Sequence, residues 1–319
     1  MPRLVDPAHV EPVVAGLVGA ITVDGGPTPE QLLVLRAVTA HLWERPDLDP
    51  ATVTVLDPAA TAAALPDRAV RRRFHEVLMT LETCRHPFSA ALVERSETYL
   101  DALGVDGPDV AILRTLVADG HARAHADFDR FLMGSVADRH EAGLTAEAPD
   151  GPEPELAARV AAFADLPADS LGQAYLAFYA RHGIALPGTT ASPLNHFFVS
   201  HDMTHVIAGI EPTAAGEIAL SAFQMAMDDT PVNVGALFAS LVVHEAGFGD
   251  SPTIGHESGI LATPGAAEVF AASLARGARC SGDVSAADHF ALAPLPLAEV
   301  RDRFGVPAPA DPADGHHCW

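Results

Sequence analysis

The amino-acid sequence predicts an all-α protein made of two helical domains. Alanine is abundant, and aromatic residues make up only 6% of the chain, a composition that favours helices over strands. Apolar residues also recur with helical spacing, whereas β-branched runs of strand length are rare. These observations favour a helical fold over one built on a sheet.

The domain boundaries follow from the chain length and from a polar segment near its middle. The chain has 319 residues, which is enough for two domains of ordinary size. Residues 145–155, TAEAPDGPEPE, are rich in proline and acid and have no apolar period, so they predict a linker. We therefore expect one domain over residues 1–144 and another over residues 156–319.

Charge and cysteine content limit the classes of partner and the compartment. The 19 basic and 42 acidic residues give a net charge of −23, which disfavours nucleic acid and gives no attraction to anionic lipid. Cys84, Cys280 and Cys318 lack CxxC spacing, so neither a disulfide framework nor a thiolate zinc site is predicted. Neither a signal-peptide layout nor an apolar run of about 20 residues occurs. The expected compartment is the reducing cytoplasm.

The N-terminal half repeats one arrangement twice. Residues 16–42 predict a helix, an acidic turn at Asp24 and a second helix that starts near Pro29, with Glu30 in its first turn. Residues 77–105 predict the same order of elements. Three residues of this second unit share one helical face: Leu92, Tyr99 and Leu103.

The segment VDGGPTPEQLLVLRA, residues 23–37, resembles the tellurite-resistance TerB-like family. That resemblance covers roughly residues 10–135, implies a small all-helical domain of two such units, and maps acidic metal-binding positions onto Asp24 and Glu30. The second unit has Arg-His-Pro at residues 85–87 in place of the acidic turn. An acidic helix cap is therefore the interpretation that we favour for the first unit.

The C-terminal half predicts six helices. They cover, in order, residues 156–182 as two helices, then 193–208, 213–227, 232–246 and 266–279. Ser170 and Thr213 are the expected N-caps of the second and fourth helices, and Gly209 is the expected end of the third. The tail after Pro307 is rich in proline and aspartate and is expected to fray.

The segment HDMTHVIAGIEPTAAGE, residues 201–217, is the strongest candidate for a functional site. His201 and His205 share one helical face, with Cβ atoms about 6 Å apart, so the two imidazoles can hold one cation. Asp202 is turned about 100° around the helix axis. It is therefore either a ligand at the edge of the site or a group that orients an imidazole. An antiparallel helix pair would bring Glu217 back against the histidines.

The residue types favour a divalent metal without selecting one. Imidazoles with one or two carboxylates suit Zn²⁺, and also Fe²⁺ or Mn²⁺. The chain has 16 histidines, so a pair at this spacing also arises by chance. Burial of two histidines and two acids without partners would be costly, however, and coordination of one ion satisfies all four together.

The spacing H-D-x-x-H-x(11)-E, formed by His201, Asp202, His205 and Glu217, resembles the signature of the Coq4 family of ubiquinone-biosynthesis proteins. The flanking segments resemble that family over roughly residues 155–307. The resemblance implies that these four residues bind a metal, usually zinc, at the catalytic site. It also implies a helical fold that forms homodimers or joins a biosynthetic complex.

The chemistry implied by this resemblance is removal of the C1 carboxylate from a polyprenyl-hydroxybenzoate precursor, coupled to hydroxylation. We therefore expect a metal-dependent lyase that acts on a prenylated aromatic acid or quinone precursor, touching a membrane peripherally without spanning it. A composition typical of a GC-rich bacterium leaves another prenylated acid open as the substrate. The expected apolar lining consists of Phe197, Phe198, Val206, Ile210 and Phe223.

Two other classes of function are alternatives. In the first, the helices hold a prenyl lipid or organise a biosynthetic complex, and the metal is structural. The second, a hydrolase of the HD type, needs a separate upstream histidine and a distant aspartate that this spacing does not clearly supply. The remaining polar groups are interpreted as exposed, loop or tail residues: His121 and His125 with Asp127 and Asp129, the His-Glu pairs at 244–245 and 256–257, and the terminal GHHCW.

Overall fold

A computed structural model of the protein describes residues 5–105, 134, 139–145, 148, 150–228, 230–247 and 257–319. Regular structure within these ranges is helical, without a strand, which confirms the predicted fold class. None of the helices described there combines the length and hydropathy that crossing a membrane requires. Several residues named above lie outside the described ranges: His121, His125, Asp127, Asp129 and His256.

Residues 5–105 contain five helices. They are α1 (Pro7–Ile21), α2 (Pro29–His41), α3 (Pro58–Ala64), α4 (Arg68–Thr83) and α5 (Ala90–Leu103). The two predicted helix, turn and helix units correspond to α1–α2 and α4–α5. Thr28 begins α2 with a capping box, in which its hydroxyl accepts from the Gln31 backbone N–H and the Gln31 side chain accepts from the Thr28 N–H.

Eight further α-helices lie in the described residues from 150 onward. They are α6 (Pro154–Ala161), α7 (Leu171–His182), α8 (Asn195–Ala208), α9 (Ala214–Met227), α10 (Pro231–His244), α11 (Ala266–Ala278), α12 (His289–Leu292) and α13 (Leu297–Phe304). The predicted caps are confirmed, because Ser170 and Thr213 cap α7 and α9, and Gly209 ends α8 in the left-handed conformation. Sequence reading missed α3, α12 and α13 because helices of one or two turns give little periodic signal.

Helices from both halves of the chain share a hydrophobic core. One cluster of buried apolar residues combines members of α1, α2, α4 and α5 with members of α9, α10 and α11. A second cluster lies among α6 to α9, α11 and the C-terminal helices. Helix α9 contributes to both, with Ile218 in the first and Phe223 in the second. The predicted boundary at residues 145–155 stays a prediction.

Helix α9 is held in place by close backbone contact with α11. A Cβ atom added to Gly277 of α11 would lie 2.1 Å from the carbonyl oxygen of Phe223 of α9. Only glycine allows two helices to approach this closely, so any larger residue would push α9 away. This contact fixes the distance between α11 and α9, the helix that carries Glu217 in its first turn.

The C-terminal tail packs against the end of α8, and the prediction that it frays is wrong. The Cys318 backbone N–H donates to the Gly209 carbonyl at 2.9 Å. The Trp319 ring lies against Arg301, with the guanidinium carbon 3.6 Å from the ring centroid. The cation–π contact and the backbone hydrogen bond hold the tail in place, although its polar, proline-rich composition predicts disorder.

Candidate metal centre

Three of the four predicted site residues converge between α8 and α9. His201 and His205 lie on α8, and Glu217 lies in the first turn of α9 after the turn that Gly209 and Thr213 define. His201 Nε2 is 3.0 Å from Glu217 Oε2, and His205 Nε2 is 3.2 Å from Glu217 Oε1. One donor atom from each of the three lies within 4.8 Å of the others. We call this group the cavity cluster.

His205 is oriented in the way that a metal ligand requires. Its ring is fully buried and stacks on Phe178, with centroids 5.8 Å apart. Its Nδ1 lies 3.0 Å from the backbone carbonyl of Ile210. A carbonyl can only accept, so Nδ1 carries a hydrogen, and in the neutral ring Nε2 presents a lone pair towards Glu217. This fixing of the tautomer by a backbone carbonyl is a common arrangement behind metal-bound histidines.

The Nε2 atom of His205 is buried and makes no hydrogen bond of acceptable geometry, although the Glu217 carboxylate is 3.2 Å away. In the neutral tautomer, a nitrogen lone pair and a carboxylate oxygen face each other. That arrangement is unfavourable unless a proton or a cation lies between them. The residues present therefore fit a divalent cation held by two imidazoles and one carboxylate.

Charge and burial shift the pKa values of the cavity cluster in opposite directions. Burial alone raises the pKa of Glu217, but the charges of His205 and His201 and the hydrogen bond with His201 outweigh it, so the pKa lies well below its usual value. Burial alone lowers the pKa of His205, but attraction to Glu217 outweighs it and the pKa is raised. A metal at His205 Nε2 would therefore compete with a proton.

Asp202 lies beside the cavity cluster without joining its converged donor atoms. Its carboxylate accepts a hydrogen bond from the Tyr179 hydroxyl, and the residue is buried. Burial is the main cause that raises the pKa of Asp202, and burial together with the Asp202 charge raises the pKa of Tyr179. Direct coordination by Asp202 stays a prediction, and its observed contact is with the tyrosine.

The cavity cluster opens into a cavity of about 750 Å³, within the range of small-molecule sites. His201, Asp202 and Glu217 are among the polar residues that line it. Much of the remaining wall is apolar and includes Ile184, Pro187, Phe197, Phe198, Ala236 and Val243.

The predicted lining is correct for two aromatic residues and wrong for three others. Phe197 and Phe198 line the cavity. Val206, Ile210 and Phe223 instead belong to the second hydrophobic cluster, where they are almost fully buried. Their side chains pack into the core because α8 and α9 are apolar over much of their circumference, and periodicity alone does not separate a core face from a cavity face.

Sequence reading missed Arg139, which lines the cavity. Its guanidinium donates to the side-chain oxygens of Gln224 at 2.8 Å and Asn233 at 2.7 Å. Burial lowers its pKa to about 10, so the group stays positively charged at neutral pH. These two hydrogen-bond partners are neutral amides, and the negative charge of Asp283 also acts on the guanidinium. Arg139 brings positive charge to the cavity wall of a strongly acidic protein. Nothing in the local sequence signals this role.

His244 and Tyr179 were also missed as cavity residues. His244 ends α10 and lines the cavity, and its Nδ1 is buried without a hydrogen-bond partner. Burial lowers its pKa, which favours the neutral imidazole. On sequence alone, His244 and Glu245 are interpreted as polar loop residues. A signal for another role existed, because the pair ends a very apolar helix, where a histidine and a glutamate are costly to bury without partners.

Comparisons with known proteins yield a distant structural likeness. No family model matches the sequence, and no curated protein matches it. A crystal structure from Nostoc punctiforme, named a "Putative ubiquinone biosynthesis protein", has 16% sequence identity and a TM-score of 0.35 over 74% of this chain and 99% of that chain. At these values the TerB-like and Coq4 resemblances stay predictions.

Proposed function

We propose that the protein holds a divalent cation, zinc in the first instance, at His201, His205 and Glu217 and acts on a prenylated aromatic acid. The proposed reaction removes the C1 carboxylate of a hydroxybenzoate-type quinone precursor, with hydroxylation at the same carbon. The observation that carries this proposal is the buried Nε2 of His205, which faces a carboxylate oxygen at 3.2 Å without a hydrogen bond.

The cavity supports an amphipathic, anionic ligand. Its apolar lining residues, among them Phe197 and Phe198, suit a prenyl chain, and its polar lining residues suit an acidic ring. Arg139 places a positive charge on the same wall. A substrate carboxylate would therefore meet a cationic group in a protein whose net charge of −23 otherwise repels anions.

The side chains have separate tasks in this proposal. A cation bound at the cavity cluster would supply positive charge for the substrate carboxylate and for the electron density that develops as CO₂ leaves. His205 is held by Ile210 and Phe178, so its Nε2 keeps one direction. Tyr179 donates to Asp202 and keeps that carboxylate beside the cluster. The apolar wall limits the access of water to the reacting carbon.

Lipid binding without catalysis is the second candidate, and the large apolar share of the cavity wall favours it. In that case the helices retain a prenylated molecule or contribute to a biosynthetic complex, and the cation is structural. The two candidates differ in the effect of losing the metal. Loss of a catalytic cation would lower turnover, whereas loss of a structural cation would lower the stability of the folded state.

Glu217→Gln tests the proposal, with Glu268→Gln on the exposed surface of α11 as the matched control. The assay uses a geranylgeranylated hydroxybenzoate as substrate. Mass spectrometry identifies the product, and a trap collects the released CO₂. The assay is run with and without O₂, because hydroxylation requires an oxidant. For an enzyme we expect Glu217→Gln to lower turnover at least about 100-fold with little change in the melting temperature. The structural candidate would be established if the wild-type protein retained the lipid without turnover and Glu217→Gln lowered the melting temperature.

A further inference from the structure

A second group of metal-binding side chains lies away from the cavity, between the two halves of the chain. Glu30 is in the first turn of α2, His86 follows α4, and Glu245 follows α10. One donor atom from each lies within 4.8 Å of the others. We call this group the junction cluster.

The most buried member of the junction cluster is Glu245, which is completely inaccessible to solvent. Its Oε1 lies 3.0 Å from His86 Nε2, and its Oε2 accepts from the Leu261 backbone N–H at 2.7 Å. Charge-assisted bonds of this kind hold the carboxylate in one orientation. The chain therefore fixes one carboxylate and one imidazole before any ion binds.

Glu30 brings a second carboxylate against the first. One of its oxygens, Oε1, is buried without a hydrogen-bond partner. Two ionised carboxylates at this separation repel each other, and a cation or a shared proton has to lie between them. Two carboxylates and one imidazole form a donor set that Zn²⁺ and Mn²⁺ accept.

The junction cluster differs from the acidic positions that the TerB-like resemblance implies. Asp24 accepts a hydrogen bond from the Ser89 hydroxyl and is not one of the three converged residues. The Arg85 guanidinium donates to the backbone carbonyls of Val23 and Gly26, so a cationic side chain occupies the first acidic turn. Only Glu30 is shared, and Glu245 comes from the other half of the chain.

We propose that Glu30, His86 and Glu245 bind a divalent cation that fastens the end of α10 to the N-terminal half. Helix α10 ends at His244, whose side chain lines the cavity, and the next residue is Glu245. An ion at the junction cluster therefore holds one wall of the cavity in place. This site does not depend on the proposed function, because it shares no ligand with the cavity cluster.

The test measures Zn²⁺ stoichiometry and affinity on the full chain after chelation and dialysis, together with the melting temperature at rising Zn²⁺. Glu30→Gln and His86→Ala are the variants, because both side chains are partly exposed and their replacement spares the core. Asp24→Asn is the matched control. We expect each variant to lose one equivalent of tightly bound Zn²⁺ and part of the Zn²⁺-dependent rise in melting temperature, while Asp24→Asn loses neither.

The outcomes separate the two sites. If both clusters bind, the wild type takes up two equivalents and Glu30→Gln takes up one. If the cavity cluster fails, the wild type takes up one equivalent and Glu30→Gln none. If the wild type, Glu30→Gln and His86→Ala bind Zn²⁺ with equal stoichiometry and affinity, the proposal is overturned. A proton shared by Glu30 and Glu245 would then explain why the two carboxylates lie close together. If both variants misfold, anomalous diffraction from wild-type crystals grown with Zn²⁺ decides whether an ion lies between Glu30 and Glu245.

Discussion

The cavity cluster and the junction cluster use the same kinds of donor atom in different surroundings. The cavity cluster borders a space of about 750 Å³ with an apolar wall. The junction cluster contains the fully buried Glu245, and none of its members lines that space. A substrate needs room next to a metal, whereas a structural ion needs only ligands. The surroundings of the two clusters, rather than their donor atoms, therefore distinguish a candidate catalytic centre from a candidate structural one.

The junction cluster is joined to the cavity wall by one peptide bond. His244 lines the cavity, and the next residue, Glu245, belongs to the junction cluster. A change at the junction cluster can therefore reach the cavity wall through the end of α10. The following predictions test how far the two clusters act separately.

The largest effect is expected for His205→Ala. The substitution removes one of the three donor atoms of the cavity cluster and creates a void at a fully buried position. We expect the Zn²⁺ affinity of the cavity cluster to fall at least about 100-fold, and the free energy of unfolding to fall by about 2 kcal/mol or more. A competing chromophoric chelator and urea unfolding measure the two effects.

His182→Ala, at a partly exposed histidine of α7, is the control for this substitution and should keep both ions. Binding at the junction cluster should also persist in His205→Ala. An unchanged uptake of two ions by His205→Ala would mean that the cavity cluster is not a metal site. Loss of both ions would mean that the two clusters do not act separately.

A smaller effect is expected for Ile184→Asp at the exposed part of the cavity wall. Ile184 is 46% exposed, and Val55, which does not line the cavity, is a matched control at 45%. Loss of about 1 kcal/mol of apolar contact should weaken binding of a fluorescent geranylgeranyl probe about fivefold. Zn²⁺ affinity should not change in either variant. Equal weakening by Val55→Asp would place the apolar ligand outside this cavity.

The smallest effect is expected for Asp202→Asn. The amide oxygen of asparagine can still accept from the Tyr179 hydroxyl, so the observed contact of Asp202 is preserved. Because Asp202 contacts Tyr179, we expect Zn²⁺ affinity at the cavity cluster to change by less than the about 10-fold minimum typical of groups that hydrogen-bond a ligand. Calorimetric titration measures it. A loss as large as that of His205→Ala would instead make Asp202 a direct ligand, as the Coq4 resemblance implies.

Local sequence patterns predicted most of the helices and their ends. Ser170, Thr213 and Gly209 act as caps because the caps depend on residues only a few positions away. The short helices α3, α12 and α13 and the packed tail were not predicted. The tail is ordered by Arg301 and Gly209, about 18 and 110 residues before the C terminus, and no local pattern contains that information.

The sequence by itself determined that His201 and His205 share a helical face and that a short turn returns Glu217 to them. Those relations span at most 16 residues, and helix geometry sets them. Only the tertiary structure decided that Asp202 meets Tyr179, that Arg139 reaches the cavity wall, and that Glu30 meets His86 and Glu245. The physical reason is that burial and packing between distant helices select these contacts, and periodicity along one helix does not specify which partner it will meet.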